Sequence, residues 1–172
     1  GRNSGAYFTF DTDEIEKINY RIAISFVSIE NAKENLRNEE KHLTFEEYQR
    51  ETSKEWDSYL STIKIKSKNE DRIKQFYTHF YHSLIHPNIV SDINGEYMGA
   101  DFKIHKTKEN REQYSSFSVW DTYRTQGQLI AMLFPKKSSD MMQSLVDFAE
   151  QAGGYGRWIL ANIETGIMQG DP

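Results

Sequence analysis

Residues 115–124 read SSFSVWDTYR, with a Trp and an Asp side by side after a Ser-rich run. An indole offers a flat apolar face and a carboxylate offers charged acceptors. The combination suits a pyranose: Trp120 would cover a C–H face while Asp121 accepts from two adjacent hydroxyls. The same pair also reads as a packed Trp beside an acid that stabilises a helix N-terminus. The residues alone leave both readings open.

Residues 153–172, GGYGRWILANIETGIMQGDP, carry Arg157, Trp158, Asn162, Glu164 and Asp171 in a Gly-rich stretch that reads as a long loop. Such loops on a helical scaffold often bear function. Glu164 would then act in a pocket, or would bridge to Arg157 as a structural pair; spacing assigns neither an acid nor a base. His79, His82 and His86 fall at i, i+3 and i+7, superficially a metal stripe. No Asp or Glu is interleaved on that face, so packing and hydrogen bonding is the preferred reading. The charged runs 33–41 and 64–72 read as solvated faces.

The chain has 172 residues, a net charge of −5, 37% hydrophobic and 13% aromatic residues, enough for one domain with a core or for two partial ones. The absence of Cys excludes disulfides, thiolate metal sites and Cys nucleophiles. Scattered Lys and Arg in an acidic chain argue against a nucleic-acid footprint. No run approaches the roughly 18 apolar residues of a membrane span, and the N-terminus lacks a basic-then-apolar layout.

These side chains need elements to position them. Ile18, Tyr20, Ile22, Ile24 and Phe26 alternate with Asn19, Arg21, Ala23 and Ser25, predicting a half-buried strand over 18–28. Residues 6–10 read as a second strand, with 11–13 as the turn. Two strands alone are marginal in water, so the expectation is a larger sheet. A short helical patch surrounds Ile29, Ala32 and Leu36. Thr44 as N-cap, Glu47 three residues on, and Leu43 placed to staple onto Tyr48 start a helix of about five turns reaching Ile63. A polar joint near 64–70 follows. The stripe Ile73, Phe76, Tyr77, Phe80, Leu84 predicts a helix ending near His86, before Pro87. Asn94-Gly95 predicts a small hairpin. Further helices are expected over 121–134, stopped by Pro135, and over 139–152, closed by Gly153-Gly154. Strands followed by successive helices point to a helical body preceded by part of a β domain. The final Asp171-Pro172 would suit a helix start, so the chain reads as truncated there.

Four separated blocks, ISFVSIENAKENL, FYTHFYHSLIHPNIVSDINGEYMG, FSVWDTYR and DMMQSLVDFAEQAGGYGRW running into ETGIMQGDP, give the chain a resemblance to glycoside hydrolase family 92, the bacterial calcium-dependent exo-acting α-mannosidases. The resemblance implies a mainly α fold with a small β part. Residues 1–42 would be the tail of an N-terminal β-sandwich, 43–70 a helical linker, and 71–172 the start of an (α/α)-barrel catalytic domain. The chain would be a central piece of a longer enzyme.

The implied reaction is inverting hydrolysis of terminal α-linked mannose, α-1,2-linked in the expected case, from a glycan partner. The resemblance puts the acid, the base and most calcium ligands downstream, so no catalytic residue is expected within this chain and its metal ligands stay unassigned. Calcium would hold mannose hydroxyls and help distort the ring. By the same resemblance Trp120 and Asp121 line the pocket for the terminal mannose, and Glu164 sits in an E-T-x-x-M-x-G-D block near it. Asn162-Ile163 departs from the small Gly- or Ser-containing pairs of many relatives. Family habit implies the periplasm or outer surface of a bacterium, and an incomplete barrel implies self-association. The alternative is a non-catalytic carbohydrate-binding or assembly module.

Overall fold

The computed structural model describes residues 5–11, 13, 17–40, 43–108 and 110–167; Asp171 and the expected helix start lie outside them. The described chain is mainly helical with small sheets. Helix α1 (Ile29–Glu40) opens at Ser28, whose hydroxyl accepts the Asn31 N–H at 3.0 Å. Helix α2 (Phe45–Leu60) opens on the expected capping box. Thr44 Oγ1 accepts from Glu47 N at 3.3 Å, and Thr44 N donates to Glu47 Oε2 at 2.8 Å. The helix stops at Leu60, short of Ile63, where the Thr62 hydroxyl donates to the Tyr59 carbonyl at 2.7 Å. Asn69 caps α3 (Glu70–Ser83) by accepting from Arg72 N at 3.2 Å. Trp56 of α2 packs edge-on against Tyr81 of α3 with ring centroids 4.5 Å apart.

Two expectations fail in the N-terminal segment. Residues 6–10 and 18–28 form no strand. Tyr20, Ile22 and Ile24 remain 81%, 74% and 69% exposed. Alternation makes a segment fit for a sheet, but a strand exists only where a neighbour accepts its hydrogen bonds, and no such neighbour stands among the described residues.

After α3 the backbone forms three small antiparallel sheets. β1 (Asn88–Ile89) pairs with β4 (Tyr114–Ser115), β2 (Glu96–Met98) pairs with β3 (Ile104–Lys106), and β5 (Phe117–Ser118) pairs with β6 (Trp158–Leu160), which pairs with β7 (Ile163–Glu164). Asn94-Gly95 does make a tight turn, closed by Gly95 N to Asp92 O at 2.8 Å, but the turn precedes β2; the hairpin itself closes later, around Phe102. The Gly-rich stretch after residue 153 is likewise partly a hairpin. Its turn is Ala161-Asn162, with the positive φ of 52° at Ala161 that two-residue hairpin turns need at their first position.

The helix expected over 121–134 is two helices, α4 (Val119–Thr122) and α5 (Gln126–Leu133). Pro135 does more than end α5. It begins α6 (Pro135–Ala152) at a first-turn position, where its missing N–H costs nothing. Gly153, at φ 77°, closes α6 as expected. The core lies where α5 and α6 meet the sheets: Tyr114, Phe117, Ile130, Met141, Phe148 and Ile159, flanked by Val119 and Leu145.

Candidate functional site

The Ser-rich run is what places the Trp–Asp pair. The Ser115 hydroxyl, fully buried, donates to Ala161 O at 2.6 Å, tying β4 to the β6–β7 turn. Ser116 takes φ 64°, and the kink sends β4 to β1 while β5 turns to β6. Ser118, the residue before α4, gives its hydroxyl to Asp121 Oδ2 in a short bond. That contact fixes the carboxylate through one oxygen and leaves the rest of an exposed acceptor facing water. Asp121 thus sits in the first turn of a helix, as one reading of the pair required, and also keeps free acceptor capacity, as the other required.

Trp120 is half-buried. The Arg124 guanidinium stands 5.8 Å from its ring centroid and 6.0 Å from that of Tyr123. A sugar stacked on that face would displace the guanidinium or hydrogen-bond to it. The indole Nε1 atoms of Trp120 and Trp158 are both buried with no acceptor. Each such orphan costs about 1–3 kcal/mol.

Glu164 does not pair with the Arg157 side chain. Its Oε2 accepts from Arg157 N at 2.6 Å and from Trp158 N at 3.2 Å, and its Oε1 accepts from Gly166 N at 3.2 Å. Ser118 and Trp158 are register partners, and Val119 N donates to Arg157 O at 3.0 Å. The three residues picked from sequence, Trp120, Asp121 and Glu164, are therefore gathered around the β5–β6 pair. The Asn162 amide donates to Gly99 O at 3.0 Å, anchoring the β6–β7 turn to the β2–β3 hairpin. An apolar cavity of about 430 Å³ adjoins the site, bounded by Val119, Thr122, Tyr123 and Leu145.

Sequence reasoning missed Ser118, Arg124 and the Arg157 backbone. For Ser118 a signal existed, since Ser118-x-x-Asp121 has the spacing of a helix-start pair. The histidines make no metal stripe. Among the described residues no group of three or more His, Asp or Glu side chains converges on one point. His86 instead lines a separate cavity of about 360 Å³ with Trp56, Tyr59 and Tyr114. His105 Nε2 lies 2.9 Å from Asp101 Oδ1, and that hydrogen bond is the main reason the Asp101 carboxyl is held below its ordinary range.

Residues 31–172 match the model of the glycosyl hydrolase family 92 catalytic domain. Among solved structures, the chain is similar to the family GH92 alpha-mannosidase BT3965 from Bacteroides thetaiotaomicron, with a TM-score of 0.78 and 27% identity over 84% of this chain and 19% of that one. The gh92 family glycosyl hydrolase ccman5 gives a TM-score of 0.67 and 30% identity over 77% of this chain and 18% of that one. The family GH92 inverting mannosidase BT2199 from the same species gives 0.78 and 23% over 86% and 20%, a likeness of fold. No curated protein matches the chain. It spans about a fifth of the length of these solved relatives.

Proposed function

The chain belongs to glycosyl hydrolase family 92, and from that premise we propose that it forms part of an enzyme that removes terminal α-linked mannose from glycans by inverting hydrolysis. The observation that carries the proposal within this chain is the Ser118–Asp121–Trp120 arrangement: an exposed carboxylate held through one oxygen, next to a half-buried indole. Trp120 packs on the sugar's C–H face and Asp121 accepts two of its hydroxyls. Glu164 belongs to the same site and shapes its edge. The solved complex of a relative with mannoimidazole supports a mannose-like occupant of such a pocket.

In inverting hydrolysis an acid protonates the leaving oxygen while a base activates water, with the two carboxyl groups about 6.5–9.5 Å apart. We assign neither role within this chain. Its part is to hold the terminal sugar and fix its orientation, which counts toward rate when the contacts tighten in the transition state. Calcium is part of the family reading. The described residues include no group of three or more His, Asp or Glu side chains that would cradle it. An α-1,2 preference and a location in the periplasm or on the outer surface of a bacterium belong to the same proposal.

Mannose release from α-1,2-linked mannobiose tests it. This chain is compared with the polypeptide extended through its whole reading frame, each with calcium and with a chelator. Calcium-dependent release by the extended polypeptide alone is the expected result. Release by neither would overturn the hydrolase reading and leave a carbohydrate-binding or assembly module.

A further inference from the structure

We propose that Glu164 is a positioning residue for the Trp120–Asp121 turn, acting through the single peptide group that joins Arg157 to Trp158. The inference rests on the reading that Trp120 and Asp121 hold the sugar.

That peptide group is gripped at both ends. Its N–H, on Trp158, donates to Glu164 Oε2 at 3.2 Å, and its carbonyl, on Arg157, accepts from Val119 N at 3.0 Å. The same Glu164 oxygen also takes Arg157 N at 2.6 Å, and the other carboxylate oxygen takes Gly166 N at 3.2 Å, with a longer contact of 3.4 Å to Trp158 N. A carboxylate has about four acceptor positions, and here three backbone N–H groups engage it, the Trp158 N–H shared between both oxygens. Most of the acceptor capacity of Glu164 is therefore taken up by the backbone, with about one position left for another donor.

Helix α4 depends on this support. It has four residues and no side-chain cap, because the Ser118 hydroxyl that could have capped it is turned to Asp121 instead. Its first N–H, on Val119, is satisfied by Arg157 O. The chain then proceeds directly to Trp120 and Asp121. The negative charge on Glu164 polarises the peptide it grips, which strengthens the acceptor at the far end of that peptide. The β5–β6 pairing of Ser118 with Trp158 brings β6 to the start of α4, and Trp158 O is held from the other side by Thr165 N and Thr165 Oγ1, each at 3.0 Å. To this the Glu164 side chain adds the acceptors for the N–H groups of Arg157 and Trp158.

The test uses the polypeptide extended through its whole reading frame, as wild type, Glu164→Gln, Asp121→Asn and the double variant. Two quantities are read: kcat/KM for mannose release, and hydrogen exchange at the Val119 amide. Glu164→Gln keeps the size of the side chain but turns an N–H toward the backbone donors. The expected results are a loss of about tenfold or more in kcat/KM, since small misplacement of a binding group is costly, and faster exchange at Val119. In the Asp121→Asn background the further loss should fall below about threefold, because residues acting as one unit are non-additive.

Fully multiplicative losses with unchanged exchange at Val119 would overturn the proposal and make Glu164 an independent sugar contact. Wild-type values for Glu164→Gln in both readouts would overturn it as well. A neutral Asp121→Asn would sink the sugar-subsite reading instead, and exchange at Val119 would still decide whether the Glu164 relay exists. Should Glu164→Gln fail to fold, Glu164→Asp, which keeps the charge but shortens the reach, is read the same way.

Discussion

Asp92 and Asn35 form a two-point contact between the turn before β2 and helix α1: Asn35 Nδ2 donates to Asp92 Oδ1 at 2.7 Å, and Ile93 N returns a bond to Asn35 Oδ1 at 3.0 Å. Asp92 is buried, and its other oxygen accepts from Ser25 Oγ at 2.7 Å and Asn31 Nδ2 at 2.8 Å. The carboxylate thus pins the segment before α1, α1 itself and the turn over 91–95 to one another. Replacing it by Ala removes one of two acceptors from each amide, since Asn31 Nδ2 keeps Glu96 Oε2 at 2.9 Å and Asn35 Nδ2 keeps Ile24 O at 3.0 Å, and each N–H left over costs about 1–3 kcal/mol. Asp92→Ala should therefore lower the urea midpoint by an amount equivalent to about 3 kcal/mol or more. A midpoint within about 0.5 kcal/mol of wild type would mean that the asparagines find other acceptors.

Asp121→Asn in the polypeptide extended through its reading frame should reduce kcat for mannose release by about 10²–10³, the usual cost of losing one well-placed polar contact to the transition state. Ser118→Ala, which frees the carboxylate to rotate without removing it, should lose less, about tenfold. A Ser118→Ala variant as impaired as Asp121→Asn would argue that the hydroxyl itself touches substrate. Steady-state kinetics on mannobiose separates the cases.

What sequence could show depended on how far apart the cooperating residues lie. The Thr44–Glu47 box and the Gly153 cap are local motifs with fixed spacing, and both stand where they were expected. The alternation from Ile18 to Phe26 is as clear a pattern as any in the chain, yet it says nothing about whether a partner strand is present. β6 and β7 span only three and two residues, too short for a period to register. The break between α4 and α5 was invisible because Gln126, where α5 begins, is held by tertiary partners, its side-chain amide donating to Ser83 O at 2.8 Å and His86 O at 2.7 Å. Trp120, Asp121 and Glu164 could be picked by type and by family resemblance. That Glu164 faces backbone donors could not be read, since backbone donors are the same at every non-proline residue.

Gly156 illustrates a glycine whose role is space. A Cβ added there would come within 2.5 Å of Ile159 Cγ1 and 2.9 Å of Phe148 Cε1, both side chains of the buried core. Gly156→Ala should destabilise the fold by about 1–3 kcal/mol through overpacking, and should displace β6 beside the site. Gly154→Ala, with open space around its Cβ position, is the control and should be close to neutral. Equal thermal midpoints for the two variants would contradict this account.

The last prediction concerns alkaline pH. Burial pushes the Tyr114 hydroxyl above its ordinary 10.0, and the bond it donates to Glu112 Oε2 at 2.6 Å pushes it further. Lys137, 3.4 Å from the same carboxylate and 5.8 Å from the Tyr59 ring centroid, is also raised from 10.5. For Lys137 burial opposes the charge, but Glu112 and Tyr59 together outweigh it. Both groups hold their protons more tightly in the folded chain than in the unfolded one. Their contribution is therefore fully present below about pH 10 and is lost as pH rises through the folded values, because the unfolded state releases its protons first. Unfolding free energy should fall above about pH 10, and Tyr114→Phe should fall less steeply while starting lower by about 1.5–3 kcal/mol for the lost charge-assisted bond. Urea midpoints measured at about pH 8 and about pH 11 give both quantities. Parallel declines for wild type and Tyr114→Phe would show that the Tyr114 proton is not held by the fold.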